Sequence, residues 1–153
     1  MATTAVLGLA GEYAVAAELC RQDIYCQLTL RNHKRTDLLA DTGDQVYRIS
    51  VKTKQKQKWP KIKGIWRKGE LLVFVDYRSK EQSSPPDFYV LNVSAWKKVV
   101  ARIKKRVNDS RTKIDDENTL YWPASKGKNN GWVGCEVQIE DVIDYKDAWP
   151  TKR

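Results

Sequence analysis

The chain has 153 residues, 41% of them hydrophobic and 31% charged, and a formal net charge of +9. This profile fits one soluble domain, residues 1–153, and excludes a disordered chain or a membrane protein, since no run approaches the ~18 apolar residues a span requires. Three cysteines without paired spacing and a single histidine, His33, exclude a Cys/His zinc site; they leave little room for a histidine-based nucleophile, with His33 open as a partner, and point to free thiols in a reducing cytoplasm.

Residues 4–22 read as a helix of the mature protein, not a signal peptide, because the apolar start has no basic leader and Glu12 follows soon after. Thr3 or Thr4 suits its cap. Val6, Leu9, Ala10, Tyr13, Ala16, Ala17 and Cys20 share one predicted face, with Glu12 at its edge. Gly8 and Gly11 leave room for another backbone to approach. Strands follow at 24–30, at 36–40 and, after an Asp-Thr-Gly-Asp turn, at 45–54. In the last of these, Ile49, Val51 and Thr53 alternate with Arg48, Ser50, Lys52 and Lys54.

The run 71–77 is continuously apolar, as in a strand covered on both faces. A loop (79–87), a strand (88–93) and a helix capped by Ser94 come next. In that helix Trp96, Val99, Val100, Ile103 and Val107 keep the 3.6-residue period, and Asn108 ends it. Segments 108–118 and 124–131 read as exposed loops, and the tail adds a strand and a short helical turn. The order is that of an α/β protein with a mixed central β-sheet flanked by helices.

The basic charge is concentrated. From Arg48 to Lys68 there are nine Lys/Arg and no Asp or Glu, and the helix contributes six more between Lys97 and Arg106. Concentrated cations with aromatic residues among them suit a phosphate backbone. Lys54, Lys56, Lys58, Lys61, Lys63, Arg67 and Lys68 are the expected phosphate contacts. Trp59 and Trp66 are each either a base-stacking residue or part of the core.

Three polar residues stand on otherwise apolar elements: Glu12 on the first helix, Asp37 heading the strand "DLLA", and Lys52 inside the strand "ISVKTK". If the two strands pair, Asp37 and Lys52 are neighbours, and a helix packed over that end brings Glu12 to the same place. Two carboxylates hold a hard cation that keeps waters and takes substrate phosphate as a ligand, and an ammonium beside it stabilises developing charge. Taken singly, each residue also reads as an ordinary edge, turn or solvated-face position.

The succession "GE", "TDLLA", "ISVKTK" resembles the PD-(D/E)XK nuclease superfamily, a group that includes an intron-encoded homing endonuclease of this size, and it looks closest to the small bacterial members. The resemblance covers residues 8–54 by named positions, and the order of elements through Val107 and a closing tryptophan thereafter. It implies a restriction-endonuclease-like core, Mg²⁺ (or Mn²⁺) as cofactor, Asp37 as direct metal ligand, Glu12 as support for the metal, and Lys52 as catalytic lysine. Two residues before the lysine the family carries Asp, Glu or sometimes Gln, where this chain has Ser50. A serine offers only a short neutral hydroxyl, so Asp41 or Asp44 from the turn, or a water bridging Ser50 to the metal, would have to substitute.

The reading implied is a metal-dependent endonuclease hydrolysing DNA phosphodiester bonds. Its alternatives are a catalytically impaired nuclease-fold DNA-binding protein and a basic module for an acidic protein partner. Double-strand cutting needs two sites, so a homo-oligomer is expected on symmetry grounds.

Overall fold

The computed structural model describes residues 2–30, 35–125 and 131–152. His33 and most of the 124–131 loop lie outside them. Helix α1 (Thr4–Arg21) leads into β1 (Tyr25–Leu28), β2 (Leu38–Asp41) and β3 (Val46–Lys54). Then come β4 (Trp59–Ile62), β5 (Glu70–Asp76), β6 (Asp87–Asn92) and α2 (Val93–Val107). Short strands β7 (Lys113–Ile114), β8 (Leu120–Trp122), β9 (Trp132–Val133) and β10 (Cys135–Val137) precede α3 (Ile139–Val142) and a 3₁₀ turn, Ile143–Tyr145.

The central sheet has the order β1-β2-β3-β5-β6, antiparallel except for the parallel pair β3–β5. It is therefore the expected mixed sheet, with helices on both sides. Leu71, Val73 and Val75 of β5 point into one core with Val15 and Leu19 of α1 and Ile49 and Val51 of β3. Leu72 and Phe74 point into the other, with Trp96, Val99, Val100 and Ile103 of α2. A strand covered on both faces cannot alternate in polarity, which is why β5 reads as an unbroken apolar run. No helix among the described residues is long and apolar enough to cross a membrane.

Both long helices differ from expectation in detail. Thr3 caps α1, accepting the Val6 N–H, but the buried side of α1 is Gly11, Val15 and Leu19. Val6 and Tyr13, expected inside, are 60% and 57% exposed. The helix is apolar on most of its circumference, so periodicity does not choose its buried side; close packing does. A Cβ on Gly11 would overlap the Thr53 hydroxyl of β3 and stand 2.9 Å from its Cβ. Helix α2 is capped by Asn92, not Ser94: the Asn92 side chain accepts the Ala95 N–H at 2.8 Å. Asn108 ends it in the left-handed conformation, φ 50°.

The basic stretch between the strands expected at 45–54 and 71–77, for which the sequence pattern predicts no element, contains a strand. β4 crosses the α2 side of the sheet and pairs with β10, burying Trp59 and Ile62.

Candidate nucleic-acid interface and active site

Asp37 stands one residue ahead of β2. Its amide donates to the Ile49 carbonyl at 2.8 Å, and its Oδ2 accepts the Val51 N–H at 2.7 Å. With Leu38 opposite Ile49 in the antiparallel register, Asp37 falls opposite Ser50. Lys52 is two residues further along β3 and on the same side of the pleat. The strand pairing thus places Asp37, Ser50 and Lys52 on one side of neighbouring strands.

Asp37 divides two hollows. One, of about 320 Å³, lies on the α1 side and is lined by Glu12 together with Asp37, Thr29 and Thr36. The other, of about 330 Å³, lies on the α2 side; Asp37, Ser50, Lys52, Arg35, Lys61, Lys63, Trp66 and Glu70 line it. Glu12 therefore faces the same hollow as Asp37 from the α1 layer, on the side of the sheet away from Lys52. The packing of Gly11 against Thr53 lets the next residue come that close to the sheet.

Ser50 is buried, and its hydroxyl donates to the Arg35 carbonyl. Asp41 and Asp44 do not stand in for it. Asp41 is at the far end of β2, paired in register with Tyr25 and Val46, and its Oδ1 accepts the Gly43 N–H. Asp44 lines a separate cavity against the C-terminal segment. A four-residue strand spans about 13 Å, beyond the reach of either carboxylate. Among the described residues, no cluster of three or more His, Cys, Asp or Glu is placed to hold a metal ion. Asp37 and Glu12, both oxygen donors beside open hollows, nevertheless suit Mg²⁺, which is held by one or two carboxylates and fills its other positions with water and phosphate.

The basic window divides by location. Lys61 and Lys63 reach the cleft. Lys61 has φ 54° at the irregularity where β4 meets β10, and its ammonium lies 5.2 Å from the Trp132 ring centroid; such an irregularity re-aims a side chain. Lys63 is carried on a segment locked at Gly64, where a Cβ would overlap the Asn118 carbonyl and where the amide donates to Thr119 Oγ1 at 2.7 Å.

Two assignments fail. Lys54 is 3% exposed and bonded to Asp76 at 2.8 Å, so it is not a phosphate contact. Trp59 is 1% exposed, edge-on to Phe74 and Tyr89, with its indole N–H donating to the Val75 carbonyl, so it stacks on no base. Lys58 is exposed and paired with Glu136 at 2.9 Å. Lys56 and Lys68 are exposed but do not line the cleft. Trp66 is half-buried at the cleft, with the guanidinium carbons of Arg35 and Arg67 each 5.0 Å from its ring centroid.

Sequence reasoning missed two residues. Glu70 is 5% exposed; its carboxylate accepts the amides of Trp66 and Arg67 at 3.0 and 2.7 Å and pairs with the Arg67 guanidinium at 3.1 Å. It fixes the turn that presents Trp66. An acidic residue directly ahead of the apolar run Leu71–Val75 was the available signal. Arg35 gave less signal, since it belongs to a short polar stretch fifteen positions before Ser50.

No protein-family model and no curated protein matches the chain. Among solved structures it is similar to a bacterial homing endonuclease, I-Ssp6803I, at 14% identity and a TM-score of 0.48, over 97% of this chain and 90% of that chain.

Proposed function

We propose that the chain is a metal-dependent endonuclease of the PD-(D/E)XK kind that hydrolyses DNA phosphodiester bonds in the cleft beside Asp37. One observation carries this reading: Asp37 is shared by two hollows, with Glu12 in one and Lys52 under a basic rim in the other. Neither an ordinary solvated strand face nor a core position requires one carboxylate to stand between a second acid on the α1 side and an amine on the α2 side.

The roles follow from position. The Val51 amide fixes one oxygen of Asp37 and so orients the carboxylate. Asp37 and Glu12 are the residues that would hold Mg²⁺ or Mn²⁺. When bound, the ion polarises the phosphodiester and lowers the pKa of an attacking water. Lys52 places its positive charge where negative charge develops on the phosphoryl oxygens. Lys61 and Lys63 neutralise phosphates of the bound strand.

A second reading is favoured by Ser50, whose hydroxyl is engaged with the Arg35 carbonyl where a carboxylate would otherwise offer a third acidic group. On that reading the chain grips DNA and has lost cleavage.

Nicking of supercoiled plasmid in Mg²⁺ or Mn²⁺, against a chelator, separates the two. The endonuclease reading expects metal-dependent nicking that falls roughly 10²–10³-fold in Asp37→Asn and Lys52→Met. Salt-sensitive DNA binding without nicking in either metal supports the binding module. Variants that cut as well as wild type remove this site from the argument.

A further inference from the structure

We propose that Arg35 is a phosphate-binding residue of the cleft, and that Ser50 is its positioning residue, not a metal ligand. The inference rests on the reading above for the identity of the anion and deepens it by naming a second cation beside Lys52.

Arg35 has φ 69°, the left-handed region that a residue with a Cβ adopts only under constraint. The constraint is visible: the Ser50 hydroxyl, buried within β3, donates to the Arg35 carbonyl. The short, neutral side chain that weakens metal binding at this position is the one able to hold that backbone. An Asp or Glu carboxylate there has no proton to donate when ionised.

The guanidinium is held as well. It lies 5.0 Å from the Trp66 ring centroid, and its Nη1 donates to Glu117 at 2.6 Å. A guanidinium carries five in-plane donors. The Trp66 contact takes no N–H and Glu117 takes one, at Nη1, so in-plane donors remain for a phosphate, as bidentate contact requires. The Arg35–Glu117 pair is exposed, 40% and 38%, and therefore weak enough to yield to a competing anion. The cleft then presents Arg35, Lys52, Lys61 and Lys63 against Asp37 and Glu70, with Glu70 already paired to Arg67.

The test is DNA binding by a short fluorescent duplex in chelator, titrated across KCl, so that cleavage plays no part. Arg35→Ala is expected to weaken binding roughly tenfold at low salt and to reduce the slope of log K against log salt by about 1. Arg35→Lys keeps the slope, because the charge remains, and loses affinity. Ser50→Ala weakens binding in the same direction and, in the separate plasmid-nicking assay, leaves the metal concentration for half-maximal cleavage unchanged. An unchanged slope in Arg35→Ala overturns the proposal. So does a Ser50→Ala protein that binds as wild type but needs more metal, since Ser50 then acts at the ion. A wild type that binds and never cuts ends the endonuclease reading while the Arg35 result still stands by itself. Thermal unfolding of each variant confirms that the fold is kept.

Discussion

The Lys54–Asp76 pair offers a sharp test of how the fold uses its charge. Both side chains are almost sealed from water, 2% and 4% exposed, with Nζ 2.8 Å from Oδ1. The ammonium also donates to the Lys56 carbonyl at 3.1 Å and lies 4.6 Å from the Trp59 ring centroid. Asp76 in turn accepts the Arg78 amide at 2.8 Å. Lys54→Met keeps the volume and strands the carboxylate. Removing one partner of a buried pair costs about 3–5 kcal/mol. For a chain of this size each kcal/mol lowers Tm by about 2–4 °C, so the expected loss is about 6–20 °C. Lys54→Met with Asp76→Leu should recover most of it, because an apolar pair in place of a buried ion pair is often neutral. Lys58→Met is the control, since that pair is exposed and worth at most about 1 kcal/mol. The measurement is circular-dichroism melting with urea titration. A Lys54→Met protein within 2 °C or so of wild type, or a double variant no better than the single, refutes the claim that this lysine serves the core.

Two further outcomes follow from packing. Gly11→Ala must push α1 away from Thr53, costing about 1–3 kcal/mol, and should lower nicking beyond the stability loss because Glu12 moves with the helix; unchanged melting and nicking would show that α1 has slack there. Burial pushes the Cys135 thiol up to about 12 and the Cys26 thiol up to about 11, so at pH 8 a thiol reagent should label exposed Cys20 first, Cys26 slowly and Cys135 only on unfolding. The folded state favours the protonated Cys135, so its contribution is complete below the ordinary value of 9.0 and lost as pH climbs toward 12; a urea midpoint that does not fall across that range would contradict it.

The legible parts of the sequence were those where one local pattern determines the outcome. Alternation in β3, the unbroken run of β5 and the stripe of α2 each have one physical reading. The meeting of Asp37, Ser50 and Lys52 follows from a tight turn and the register it sets. The rest depends on distant partners. β4 was hidden because Pro60 and Lys61 separate its two inward residues, and its strand partner, β10, lies more than seventy residues later. Helix α1 was rotated because an apolar circumference leaves the choice to a glycine's contact with β3. Lys54 read as a surface lysine because its counterion, Asp76, belongs to another strand. Arg35 reaches the cleft through a backbone conformation that no periodicity encodes.

These placements change what the basic charge can do, and the change is measurable. Nine cations between Arg48 and Lys68 suggest a protein that grips DNA along its length. If all nine met phosphates, log K would fall against log salt with a slope near −8. The fold leaves far fewer for that purpose. Lys54 is committed to Asp76 and Arg67 to the buried Glu70 carboxylate, while Arg48, Lys56, Lys58 and Lys68 are absent from the cleft lining. Lys52, Lys61 and Lys63 remain, and Arg35 joins them from outside the window. Four contacts give a slope of about −3.6 for duplex DNA. A measured value near −8 would mean that DNA lies across the α2 face and the outer lysines, with Asp37 away from its path. A value near −4 places the strand in the cleft, where the oriented Asp37 carboxylate and the β3 lysine, Lys52, both face it.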